Sequence, residues 1–168
     1  MILNINKHER DSLAVIDSAG DMLKYGELTE FVNELKELVR NRSLVFVLAG
    51  NDVGGIAWSV GLIGAGIIPL LLSPKIDKEL LQKLEDIYQP GYICLSNGDL
   101  GGVGVERELC RWGYSLLETG KKNYPLYEQL SHLLPTSGST GSPKLVRHSY
   151  ENVEASALNI STFFELKS

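Results

Sequence analysis

Apolar positions recur at two periods along this chain, and their alternation predicts its layout. Between residues 27 and 40, Leu28, Phe31, Val32, Leu35, Leu38 and Val39 fall at helical spacing, with Glu30, Glu34, Lys36, Glu37 and Arg40 turned away from them. That pattern predicts an amphipathic helix whose charged face is solvated. The next apolar stretch, 43–49, is continuous through Leu44-Val45-Phe46-Val47-Leu48, as expected of a strand buried on both faces of a parallel sheet. Gly50-Asn51-Asp52 breaks it, and Asn51 or Asp52 can cap a helix over 53–65. A strand follows over 67–72. A helix over 78–88 turns Leu80, Leu81, Leu84, Ile87 and Tyr88 inward, and a strand covers 92–95. The strand–helix–strand–helix–strand order predicts an α/β fold, a parallel doubly wound sheet flanked by helices.

The flanking segments are shorter. Residues 13–17 and 22–25 read as a hairpin around Ser18-Ala19-Gly20-Asp21. Residues 96–104 read as a glycine-rich loop, and 114–117 and 124–127 as short strands. Two further strands, 132–135 and 145–148, bracket a polar loop. Ser149 then caps a last helix, with Val153, Ala157, Ile160 and Phe164 as its inner face.

Composition narrows the function classes. A chain of 168 residues, 43% hydrophobic and 22% charged, is expected to form one soluble domain with a sizeable core. The net charge of -5 leaves no basic footprint for nucleic acid, so an anionic ligand must be held by local groups. Two cysteines, Cys94 and Cys110, are too few for a disulfide framework and predict free thiols in a cytoplasmic protein. Residues 53–72 carry no charge and approach the length of a membrane span. Six interruptions, Gly54, Gly55, Gly61, Gly64, Gly66 and Pro69, and the lack of a basic flank instead predict a buried helix followed by a buried strand. These glycines lack the order of a dinucleotide fingerprint, and they read as packing glycines.

The candidate chemistry lies in the polar loop, Thr136-Ser137-Gly138-Ser139-Thr140-Gly141-Ser142-Pro143-Lys144. Glycines let a backbone turn its N–H groups toward one point, hydroxyls add donors, and Lys144 adds a compact positive charge. Together they suit an anion nest, phosphate above all. A flexible Ser/Gly linker shares the composition, but a linker has no need to end in Pro-Lys and run into an apolar strand. A Walker A loop fails on spacing, since no Ser or Thr follows Lys144 and the next residues do not read as a helix.

Residues 136–144 resemble the phosphate loop of the adenylate-forming (AMP-binding) superfamily, which includes acyl-CoA synthetases, amino-acid adenylation domains and luciferases. The family pattern is Thr-Ser-Gly-Ser/Thr-Thr-Gly-x-Pro-Lys-Gly, and only its last position departs, with Leu145 for glycine. Tyr25-Gly26-Glu27-Leu28 and the run from Gly61 to Leu70 are similar to two earlier family segments. Ser149-Tyr150-Glu151-Asn152 stands where the family often has Thr-His-x-Asn, with Tyr150 in place of the histidine. The resemblance covers nearly the whole chain and is nearer to acyl-CoA synthetases than to peptide-synthetase domains.

The resemblance implies an enzyme that joins a small-molecule carboxylate to AMP from MgATP, releases pyrophosphate and then passes the acyl group to a thiol, with coenzyme A as co-substrate. Thr136, Ser137, Gly138, Ser139, Thr140, Gly141 and Lys144 would hold the β- and γ-phosphates. Residues 1–168 would be the N-terminal part of an AMP-binding domain. The adenine-stacking and magnesium segment, the ribose aspartate and the C-terminal domain with its lysine are absent, so the chain alone is expected to be inactive and to hold no catalytic or metal-ligating residue. Surface left exposed by truncation could support a homo-oligomer. The competing reading is a short non-catalytic protein of the same fold that binds a partner.

Overall fold

The structure is a computed structural model that describes residues 2–100, 108–121, 124, 126–136 and 144–165. A short hairpin, β1 (Leu13–Ile16) and β2 (Met22–Lys24), stands apart from the main sheet. Helix α1 (Tyr25–Leu38) follows, then β3 (Leu44–Leu48), α2 (Val53–Gly64), β4 (Ile68–Leu72), α3 (Lys78–Tyr88) and β5 (Tyr92–Ser96). The second half adds β6 (Leu109–Arg111), β7 (Tyr114–Glu118), β8 (Leu130–Pro135), β9 (Leu145–Ser149) and α4 (Tyr150–Phe163).

The main sheet runs β6-β7-β5-β3-β4-β8-β9. Its centre, β5-β3-β4-β8, is parallel, as the buried run of β3 requires: all five of its residues are buried. The expected parallel sheet is extended at both edges by antiparallel strands, β7 and β6 on one side and β9 on the other. Helices cover both faces. Val45 and Val47 of β3 point to a core built with Phe31, Val32 and Leu35 of α1 and Ala57, Trp58 and Leu62 of α2. Leu44, Phe46 and Leu48 point to Leu84 of α3 on the other side. Each fully buried large side chain in these clusters contributes about 1.5–3 kcal/mol.

Caps set the helix ends. The Glu27 carboxylate accepts from the Lys24 N–H at 2.9 Å, so α1 starts two residues before the amphipathic pattern does. Asp52 caps α2 by accepting from Gly55 N–H at 2.7 Å, and Asp77 caps α3. Asp17, in the β1–β2 turn, accepts from the Val53 N–H at 3.1 Å and so fastens that hairpin to the start of α2. This bond, with others from its own turn, holds the Asp17 carboxyl below its ordinary range against the opposing effect of burial.

Several expectations are corrected. Residues 124, 126 and 127 lie outside any strand: Tyr124 and Tyr127 are exposed, and the intervening Pro125 has no N–H to give a ladder. The inner face expected of α4 has no covering layer among the described residues. Val153 is half-buried, whereas Ala157, Ile160 and Phe164 are exposed, as are Leu158 and Phe163. Leu38, at the last residue of α1, and Leu80 and Ile87 of α3 are also exposed. Strand β6 went unpredicted, and residues 97–100, read as loop, form a short 3-10 helix. Neither cysteine is in a disulfide; Cys94 is buried and Cys110 is exposed, its sulfur in hydrogen-bond contact with the Asn97 side chain. Among the described residues no helix is long and apolar enough to cross a membrane.

The β6–β7 turn shows what the packing glycines permit. Trp112 and Gly113 occupy it with φ of 46° and 77°, a two-residue turn with both central residues left-handed. It places the Trp112 ring edge-on to Phe31 at 4.9 Å and the Trp112 carbonyl against Gly54. A Cβ on Gly54 would lie 2.3 Å from that carbonyl oxygen and 2.7 Å from the Tyr114 ring. Gly54→Ala is therefore expected to cost about 1–3 kcal/mol, read as a lower urea midpoint at constant slope. Gly98→Ala, whose added carbon meets nothing nearer than 3.8 Å, should shift stability by less than about 0.5 kcal/mol. Equal shifts would contradict the close-approach account.

Candidate phosphate site

Strand β8 runs parallel to β4, with Leu133 beside Leu70. It therefore ends at the same edge of the sheet as β3, β4 and β5, the carboxyl edge, where open α/β sheets bind ligands. Residues 136–144 leave from there and return as β9. The Thr136 N–H donates to the Lys144 carbonyl at 2.9 Å and its hydroxyl donates to the same oxygen at 3.1 Å. These two bonds close the loop at its base, and both residues are exposed. Of the seven expected site residues, Thr136 and Lys144 are thus brought together. Ser137, Gly138, Ser139, Thr140 and Gly141 lie outside the described residues.

The hairpin register places other groups relative to the loop. Pairs Leu134–Val146 and His132–His148 follow the Thr136–Lys144 closure, and alternation along the strands puts all three on one face. Leu133, between them, is buried with the α3-side core, so this face is the one on which α1 and α2 pack. The His132 and His148 rings stack 4.6 Å apart and 2° from parallel. Burial, and then the adjacent His148, push His132 down to about 4; Nδ1 of His132 lies 3.3 Å from the Ser131 hydroxyl. Sequence reading missed this pair, although the signal was present: once Thr136 and Lys144 close a hairpin, residues four before and four after must face each other.

Two cavities sit near the same edge. One, about 280 Å³, lies between the ends of β3 and β4 and the first turns of α2, lined by Ala49, Asn51, Ile56, Ser59, Val60 and Leu71 among others. Because α2 and α3 lie on opposite faces, this is where the connections diverge. A larger cavity, about 540 Å³, includes Asp17, Asp21, Asp52 and Tyr114. Asp52 accepts from the Tyr114 hydroxyl at 2.8 Å as well as from Gly55. Its carboxylates would repel a phosphate. Neither β8 nor β9 carries a carboxylate, and the described residues hold no group of three potential metal ligands.

Comparison with protein-family models finds no match. A segment of beauvericin nonribosomal cyclodepsipeptide synthetase from Beauveria bassiana is 31% identical over 160 residues, 82% of this chain. A segment of tyrocidine synthase 3 from Brevibacillus parabrevis is 30% identical over 155 residues, 83% of this chain. The chain spans 5% and 2% of those two proteins. O-succinylbenzoate coenzyme A synthetase (MenE) from Bacillus subtilis, solved in complex with AMP, matches the fold with a TM-score of 0.73 at 16% identity. The match covers 99% of this chain and 46% of that one. The chain is similar in sequence and in fold to the adenylate-forming enzymes. The Bacillus subtilis synthetase has also been solved with ATP and a magnesium ion.

The stacked histidines give this adenylate-forming fold a pH dependence of known sign. Above pH 6.5 the imidazole of His132 is neutral in both the folded and the unfolded chain. Between about 6.5 and 4 the unfolded chain takes up the proton first, so stability falls with pH, and the loss is complete below about 4. Its expected size is roughly 1–2 kcal/mol, less than the full shift because the ring keeps partial solvent contact. Urea midpoints at neutral pH and at the acid end of this window, compared between wild type and His132→Phe, check it. The variant should lose less stability on acidification; an identical loss would contradict the assignment.

Proposed function

We propose that this chain is the N-terminal part of an ATP-dependent carboxylate-activating ligase and that loop 136–144 binds the pyrophosphate portion of ATP. The observation that carries the reading is the place of the loop. β8 ends at the carboxyl edge of the parallel sheet, and Thr136 and Lys144 close the base of the hydroxyl- and glycine-rich segment there. The fold and sequence similarity to adenylate-forming enzymes support it.

In the reaction a carboxylate oxygen attacks the α-phosphorus, and the bond to the bridging oxygen of pyrophosphate breaks. Both partners are negative, so rate depends on positioning and on neutralising the leaving group. Here the backbone amides of Gly138 and Gly141 and the hydroxyls of Ser137, Ser139 and Thr140 donate to the β- and γ-phosphate oxygens. Lys144 brings positive charge to the same place. The Thr136 hydroxyl keeps the loop closed through its bond to the Lys144 carbonyl. Leu145 replaces the family glycine without removing a donor. Magnesium, when bound with ATP, supplies further charge neutralisation. Transfer of the acyl group to coenzyme A would complete the sequence. The acyl pocket, the adenine site and the adenylating lysine belong to the rest of such an enzyme.

Removing the lysine tests the site directly. Calorimetric titration with magnesium pyrophosphate should show Lys144→Ala binding roughly 10–100-fold more weakly than wild type, the loss of one charge-assisted contact of about 1.5–3 kcal/mol. Equal affinities would overturn the role of Lys144. The chain by itself is expected to catalyse no ATP–pyrophosphate exchange, and measurable exchange by the purified chain would refute its assignment as a part.

A further inference from the structure

Strand β8 carries the loop, but no tight turn sets its register on β4. A parallel neighbour lacks the hairpin connection that fixes antiparallel pairs, and eleven residues, 119–129, separate β7 from β8. On its other side β8 meets only β9, the edge strand. A slip of one residue along β4 would move the loop by about 3.3 Å and turn Leu133 out of the core. Burial of Leu133 resists such a slip, and a grip on the hairpin at its far end would add a second hold on the position of the loop.

Arg42 is placed there. It lies in the turn between α1 and β3, with φ of 63°, and its backbone N–H reaches the Gly66 carbonyl at 3.3 Å. Its guanidinium makes three contacts with the second half of the chain. One Nη donates to the Tyr150 phenol oxygen at 3.2 Å. The other donates to the Leu130 carbonyl at 2.9 Å and to the Tyr127 carbonyl. Leu130 begins β8, and Tyr150 begins α4 immediately after β9. One fork therefore holds both strands of the hairpin at the amino edge and ties them to the β3 and β4 turns. Its buried Nε has no hydrogen-bond partner among the described residues, so the fork is committed to these acceptors at the cost of one unmet donor. Tyr150 is the residue that departs from the family's usual histidine, and the Arg42 contact gives that departure a structural use in this chain.

We infer that Arg42 is a positioning residue: it pins the axial register of β8–β9, through Leu130 and Tyr150, and thereby seats the phosphate loop at the opposite edge. The last clause rests on the phosphate reading of the loop; the register claim does not. β8 spans six residues, about 20 Å, and a paired strand is stiff enough to carry an axial displacement from one end to the other.

Amide hydrogen exchange of the whole chain, followed residue by residue by NMR, tests the pin. In Arg42→Ala the protected amides of β8 and β9 should exchange at least tenfold faster, while those of β3 and β5 stay within twofold. Arg42→Lys keeps the charge but cannot reach three acceptors, and it should resemble the alanine variant more than wild type. Tyr150→Phe removes one acceptor and should give a smaller acceleration confined to β9 and the start of α4. It carries the test if Arg42→Ala does not fold. Magnesium pyrophosphate should bind Arg42→Ala at least fivefold more weakly. Unchanged hairpin exchange, or acceleration spread evenly over the sheet, would overturn the register claim. Localised acceleration with unchanged pyrophosphate affinity would overturn the coupling to the loop. Failure of the wild-type chain to bind pyrophosphate would overturn the phosphate reading alone, leaving the exchange result to decide the role of Arg42.

Discussion

The parallel pairing of β8 with β4 is the constraint on which the functional geometry depends. Had β8 joined the sheet antiparallel, the loop at its end would emerge at the amino edge, away from the ends of β3, β4 and β5. In parallel, β8 ends at the carboxyl edge, and Thr136 and Lys144 at the base of the loop stand there with it. Leu133, buried against the α3-side core with Leu70, resists a one-residue slip, since slipping would exchange a buried leucine for a half-buried histidine or leucine. Hydrophobic register and loop position are therefore one property of this hairpin.

Charge is arranged around the same edge with little help from the whole molecule. The chain is acidic, and the larger cavity at the start of α2 is lined by Asp17, Asp21 and Asp52. Two of these are committed to structure: Asp17 and Asp52 accept from amides of the first turn of α2. The favourable end of the α2 dipole is thus already met by carboxylates. On the proposed reading an incoming phosphate is met by the hydroxyls, glycine amides and Lys144 of residues 136–144, so local groups and not the overall field would determine where an anion binds.

The centre of the fold was legible because its signals are local and redundant. The continuous run of β3, the cap at Asp52 and the amphipathic spacing of α1 each suffice, and they agree. The loop stood out in the sequence because nine consecutive residues carry the resemblance, and only its two ends, Thr136 and Lys144, lie among the described residues. What escaped depends on distant partners. The β6–β7 turn uses Trp112 where asparagine or aspartate would announce a left-handed position, so β6 left no turn signal. The apolar residues of α4 mark a face at helical spacing, but spacing cannot say whether a covering layer is present. Tyr124 and Tyr127 have strand-forming side chains, yet among the described residues they belong to no strand and are exposed. Arg42 looks like any charged residue at a helix end, and only the fold brings Leu130 and Tyr150 within its reach, 88 and 108 residues away.

The account is tested most directly by titrating the isotope-labelled chain with MgATP and following the backbone amides of Gly138 and Gly141. Saturable shifts at those two amides, with the amides around Asp52 and Tyr114 unmoved, are the predicted result. Shifts centred on the Asp52–Tyr114 cavity, or no shift at either glycine at millimolar ATP, would contradict the claim that the loop at the carboxyl edge is the phosphate site of this chain.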